Sequence, residues 1–259
     1  MLIRLLKILV LAFLTTLIIV WAAPVLASVT DLMAEGEMHF RHRPDLARAE
    51  KSAELFRQAM KQSPGDPEPA WKLARSLCWL AEKTKNDKKR RLAISMEAIK
   101  AAQTAVALAP DQAPPHFFLG LSYVYYGDAK GIFEVAHRWK EVKAEFEKVI
   151  ELDPKYLGGA SYMLLARAYY YVPAFMGGGR EHALDYYRKA LEYGPHQYGT
   201  HIYLAEHYIN QGELDKARAL LEQVMAGPPM DGQEPEWEEW KGEAEHYLRK
   251  VKEKEARLK

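Results

Sequence analysis

Residues 198–229 read YGTHIYLAEHYINQGELDKARALLEQVMAGPP, and this stretch decides the fold. In its first half His201, Leu204, Ala205 and Tyr208 recur at the three-and-four spacing of one helical face, and Gly212 ends that helix. In its second half Ala217, Leu221 and Val224 form another apolar face, which Pro228 and Pro229 bring to a stop. Ala205 and Ala217 fall where the two helices cross, and a larger side chain there would push the axes apart.

Working outward, closing prolines recur at Pro64, Pro110, Pro154, Pro195 and Pro229, separated by 46, 44, 41 and 34 residues. Between them lie Leu73-Ala74 with Leu77, Leu119-Gly120 with Tyr123, and Leu165-Ala166 with Tyr169. Each is followed by a second apolar face: Ala98, Ala102 and Ala105; Val142, Phe146 and Val149; Ala183, Tyr187 and Ala190. A Leu-small pair, a Tyr three on, a turn glycine, an Ala five after it and a closing Pro, in a unit of ~34 residues, resemble the tetratricopeptide repeat (TPR). The expectation is an all-α, TPR-type helix-turn-helix solenoid with a C-terminal capping helix. Residues 28–66 supply an N-terminal helix pair, 67–229 the repeats and 230–259 the cap. The excess over a bare repeat is expected in lengthened turns at Lys83 to Arg91, at Asp128 to Lys140 and at the segment VPAFMGGG. In the cap, Trp237, Trp240, Ala244, Tyr247, Leu248 and Val251 share one face, expected to cover the last repeat while the charges opposite turn to water.

Residues 1–27 have a basic start at Arg4 and Lys7, an apolar run from Ile8 to Ala23, then Pro24 and Val25-Leu26-Ala27. That is the layout of a secretory signal cut after Ala27, and an exported, periplasmic location follows from it. The alternative is an uncleaved anchor, because the run approaches the ~20 residues that span a bilayer. The membrane is then met only through this segment. The single cysteine, Cys78, excludes an intrachain disulfide and reads as a small buried hydrophobe between Leu77 and Trp79. A formal charge of +1 on 36 basic and 35 acidic side chains argues against a nucleic-acid partner.

Enzyme signatures are missing from the sequence: it has no HExxH, G-x-S-x-G, phosphate loop or dinucleotide fingerprint. Gly177-Gly178-Gly179 reads as a turn, KTKNDKKRR as a solvated loop, and His39 and His42 as a solvated helix end that lacks a third metal ligand. His201, Glu206 and His207 have acid-base groups but no nucleophile beside them. No cofactor is expected.

Binding is the better-supported role. In a TPR array the first helix of each pair lines the inner groove. Register from the Leu-small pairs assigns Trp71, Arg75 and Trp79 to it, then Phe117, Val124 and Tyr125, then Met163, Arg167, Tyr170 and Tyr171, and finally Ile202, Glu206 and Asn210. Aromatic walls with two guanidinium groups suit a protein or peptide segment bearing an acidic or C-terminal group, or a small apolar ligand with a carboxylate. Arg75 and Arg167 occupy the same register, with Glu68 and Glu206 as available internal partners.

The stretch from Pro67 to Val224 resembles the TPR proteins associated with TRAP transporters, the T-component family. The resemblance is carried by AWKLARSLCWLA, PPHFFLGLSYVYYG and ASYMLLARAYYYVPAFMGGGREHALDYYRKALEYGP. It implies an exported accessory acting beside a periplasmic solute-binding protein. A similar layout occurs in the regulator of microtubule dynamics family, and the leader and the short chain favour the former. Two further readings are a membrane-anchored scaffold for envelope protein assembly and an enzyme with an unrecognised site.

Overall fold

A computed structural model describes residues 27–131, 134, 137–229, 232 and 234–258, so the leader, apart from Ala27, lies outside the described residues. These residues fold into eleven α-helices and one 3-10 turn, with no strand among them. The pairs are α1 (Val29–Arg41) with α2 (Leu46–Gln62), α3 (Pro67–Lys83) with α4 (Lys88–Leu108), α5 (Ala113–Lys130) with α6 (Trp139–Leu152), α7 (Ala160–Tyr171) with α8 (Arg180–Tyr193), and α9 (Tyr198–Gln211) with α10 (Leu214–Ala226). A last helix, α11, covers Glu234–Leu258. No helix among the described residues is long and apolar enough to cross a membrane.

Local chemistry sets the helix ends. Ser28 closes a capping box with Asp31, and Asp45, Asp66 and Asp87 each accept a backbone N–H in the first turn of the helix they precede. Gly212 takes the left-handed conformation, φ 81°, and lets the backbone N–H of Glu213 bond Tyr208 O at 2.9 Å.

Three layers of second-helix residues run through the array at fixed distance from the closing prolines, and all are buried: Ser52, Ala98, Val142, Ala183 and Ala217; Phe56, Ala102, Phe146, Tyr187 and Leu221; Ala59, Ala105, Val149, Ala190 and Val224. Side-chain volume is compensated between partners. Where the second helix offers Phe56 or Phe146, the first helix offers glycine. A Cβ on Gly36 would stand 2.7 Å from Phe56 Cε1, and one on Gly120 would stand 3.1 Å from Phe146 Cε1. Small polar groups allow equally close approach between pairs, with Ser52 and Ser76 hydroxyls 3.1 Å apart and Cys78 Sγ 3.3 Å from Ser122 Oγ.

The lengthened first turn is a correction. Only residues 84–87 separate α3 from α4, and the excess is taken up as helix: α4 runs 21 residues, against 13 for α10. Asp87 caps the chain there, so Lys88 to Arg91 open a helix instead of a loop. Nor is the basic run wholly solvated, since Arg91 is buried, ion-paired with Asp128 and set 5.4 Å over the Tyr125 ring. Segment 172–179 does fold as a compact turn. Gly179 N–H bonds Tyr169 O at 2.9 Å, and a Cβ on Gly178 would lie 1.8 Å from Val172 O.

Candidate functional site

The inner groove is formed by α3, α5, α7 and α9, the first helices of their pairs, and α11 runs across it. At about 1.5 Å per residue its 25 residues reach about 37 Å, enough to cross from the last pair to the first. One face of α11 is apolar. Trp237, Ala244 and Val251 are buried against α9 and α10, with the Trp237 ring centroid 5.0 Å from that of Tyr198 and half-buried Trp240 6.4 Å from it. This much agrees with a cap.

Most of the acidic flank turns to water as expected, with Glu238, Glu239, Glu243 and Glu245 exposed, but not Glu236, and Glu236 and Glu239 are paired with the array. Glu236 receives a two-pronged bond from Arg43, Nε to Oε1 at 2.7 Å and Nη2 to Oε2 at 2.6 Å, and a third from Trp79 Nε1 at 3.0 Å. Arg43 also donates to Gly232 O at 2.6 Å, so a buried guanidinium from the first pair is neutralised by the last helix. One turn on, Lys83 Nζ lies 2.5 Å from both oxygens of Glu239. Further along, partial desolvation holds the Glu243 carboxyl above its usual value against the pull of Arg167, although the residue as a whole is exposed, and burial together with nearby Glu206 raises the Tyr247 hydroxyl. Lys254 donates to Ile209 O at 2.9 Å and Arg218 pairs with Glu255, which fastens the far end.

Several assigned residues do meet in the groove. Trp79 and Arg167 face α11 as described, and Tyr125 donates to Glu82 at 2.7 Å. Half-buried Tyr170 accepts from Asn210 Nδ2 at 2.8 Å, and Tyr171 beside it is exposed. Glu206 and Asn210 line a cavity of ≈ 280 Å³ between α9 and α11, walled by Tyr247, Lys250 and Lys254. Trp71 stacks on Phe118 with centroids 5.9 Å apart, between the second and third pairs. Half-buried Met163 packs towards Gly199, at the contact of α7 with α9.

Phe117 and Ile202 are corrections. Phe117 is a core residue, with ring centroids 5.8 Å from Phe146 and 5.3 Å from Tyr156, on the side of α5 that packs against α6. Ile202 is fully buried in the cluster that α11 completes.

The two arginines of equal register part company. Arg75 donates to Glu37 Oε2 at 2.6 Å and lies 3.8 Å over the Phe40 ring, so α1 neutralises its charge, although its buried Nε has no hydrogen-bond partner among the described residues; Glu68 is taken by Lys72 instead. Arg167 lies 3.8 Å over the Tyr203 ring, but its buried Nη1 has no hydrogen-bond partner among the described residues. His201 and His207 are buried, the first between Gln197 O and Gln223 Oε1, the second among Tyr170, Tyr187 and Tyr208. The contribution of α11 to the groove was missed, although Glu236, Glu239 and Glu243 at i, i+3 and i+7 are a readable acidic stripe.

Comparison with known proteins bears on this arrangement. The tetratricopeptide repeat model matches residues 181–236. The crystal structure of TTC0263, a thermophilic TPR protein in Thermus thermophilus, is similar with a TM-score of 0.62 at 21% identity over 85% of this chain and 99% of that one, which shows the fold. MamA has a TM-score of 0.44 at 16% identity, over 84% and 94% of the two chains. No curated protein matches. The protein is therefore a TPR-type interaction module, while the transporter T-component resemblance finds no support in these comparisons. A second family model, regulator of microtubule dynamics protein 1-3, matches residues 39–172, more than half of the sequence, and the chain belongs to that family.

Proposed function

We propose that the protein is a non-catalytic adaptor that holds an acidic segment of a partner protein in the inner groove. The observation that carries this reading is Arg167. A guanidinium stacked on Tyr203, with a buried Nη1 that has no partner and no carboxylate paired to it among the described residues, lies in a groove whose other cationic and indole groups, Arg43, Lys83 and Trp79, already bond carboxylates. Burying such a group unpaired is unfavourable, and an incoming carboxylate relieves the cost. Arg167→Ala is expected to weaken capture of the partner by roughly 1.5 to 3 kcal/mol while leaving the unfolding midpoint nearly unchanged. Loss of stability without loss of capture overturns the groove reading.

The setting is a separate part of the proposal. Export to the periplasm rests on residues 1–27, and N-terminal sequencing of protein made in a bacterial host tests it. An accessory role beside a TRAP-type transporter and its solute-binding protein rests on segment 160–195, and transporter genes alongside would support it. Family membership brings a role in microtubule dynamics into the same set, tested by co-sedimentation with microtubules.

A further inference from the structure

We infer that the first two turns of α11 are an internal ligand of the groove, hinged at Gly242, and that the partner segment is an acidic helix that displaces them. This rests on the groove reading above and names the class of its occupant.

Three observations lead here. The contacts of residues 236–239 with the first two pairs are largely charge-assisted: Glu236 on Arg43 and Trp79, and Glu239 on Lys83. Such bonds are specific in geometry, and a second helix with carboxylates at the same spacing reproduces them. The same segment also carries Trp237, buried against Tyr198, and half-buried Trp240, so its displacement gives up an apolar contact as well; beyond Gly242 the apolar anchorage continues through Ala244 and Val251, buried against α9 and α10.

Second, Gly242 sits in the helix interior between these two parts, and a Cβ there would meet nothing within 4 Å. Unlike Gly36 and Gly120, it has no packing reason to be glycine. A glycine in such a place weakens the helix locally and provides a point at which residues 234–241 can swing away while 243–258 stay docked.

Third, the internal ligand satisfies the groove incompletely. Glu243, on the same face as Glu236 and Glu239, makes neither an ion pair nor a hydrogen bond with Arg167, whose buried Nη1 remains without a partner among the described residues. A helix not tied to the Trp237 and Ala244 docking surface is free to settle a carboxylate on Arg167 as well as on Arg43 and Lys83. The groove therefore selects a helix with acidic residues at i, i+3 and i+7, all on one face.

The test uses the full chain and a labelled peptide copying residues 234–247. Glu236→Gln with Glu239→Gln in the chain loosens the internal ligand, and the peptide is expected to bind this variant about tenfold or more tightly than the native chain, the scale of one charge-assisted bond. Gly242→Ala in an otherwise native chain stiffens α11 and is expected to weaken peptide binding. A peptide with glutamine in place of Glu236, Glu239 and Glu243 is expected to bind neither. In the native chain, amide hydrogen exchange is expected to be faster in residues 234–241 than in 243–251.

Equal binding to native and loosened chains, equal binding of the glutamine peptide, or uniform protection across Gly242 each overturns the inference. Should the peptide fail while partner capture still depends on Arg167, the acidic-helix class is wrong and the groove reading stands. Should capture be indifferent to Arg167, the groove reading falls with it.

Discussion

Arg75→Ala is expected to damage the fold and leave partner capture alone, the reverse of Arg167→Ala. The side chain donates one charged bond of 2.6 Å to Glu37 and covers Phe40 at 3.8 Å. A charged hydrogen bond contributes about 1.5 to 3 kcal/mol and a partly desolvated cation–π contact about 0.5 to 2. Lys72, 3.3 Å from the same Glu37 oxygen, retains part of the pairing, so the net loss should be about 3 kcal/mol. For a chain of this size that lowers the melting temperature by roughly 6 to 12 °C, measured by circular dichroism. The pH dependence supplies an independent check. Burial raises the Glu37 carboxyl, but its bonds and charge interactions with Arg75 and Lys72 overcome this and hold it below its usual value. A depressed carboxyl stabilises the fold above its unfolded pKa, about 4.3, and that contribution is lost as pH falls through the folded value. The variant should therefore lose less stability than the native chain on acidification. A melting temperature unchanged within about 2 °C, or an unchanged acid slope, refutes the assignment of Arg75 to structure.

Other outcomes follow from the packing. Two helix glycines should respond with opposite sign: Gly36→Ala drives a Cβ to 2.7 Å from the buried Phe56 ring and should cost about 1 to 3 kcal/mol, whereas Gly242→Ala meets open space and should stabilise by about 0.5 to 1, both read by urea denaturation. Trp237→Ala should cost about 3 to 5 kcal/mol and Trp240→Ala less, since the former is buried and the latter only half so; equal losses would contradict this placement of α11. Burial pushes the Cys78 thiol up to about 12, so a thiol reagent near neutral pH should label it only in denaturant.

The repeat itself was legible because its signals are local. Leu-small pairs, turn glycines and closing prolines each act within a few residues, and the buried layers fall at the positions they predict. What escaped depends on residues far apart in sequence. Nothing near Arg75 or Arg167 distinguishes them; the difference is Glu37, 38 residues away, which pairs with the first and has no counterpart at the second among the described residues. Reading Arg91 as solvated failed for the same reason, since its partner is Asp128 on α5. Phe117 lies one residue from Phe118, a rotation of about 100° on a helix, and its inward turn is met by Phe146 and Tyr156, 29 and 39 residues away. The acids of α11 were readable as a stripe, but whether a stripe meets water or a cationic groove is settled by the curvature of the whole array.

The position of α11 across the groove is tested most directly by zero-length carbodiimide cross-linking followed by peptide mass spectrometry. Lys83 Nζ lies 2.5 Å from the Glu239 carboxylate, 156 residues away, so an amide between these two side chains is the predicted product, at protein concentrations where intermolecular links do not form. Links from Lys83 confined to carboxylates of α3 and its neighbours, with residues 234–241 unlinked to the first two pairs, would contradict it.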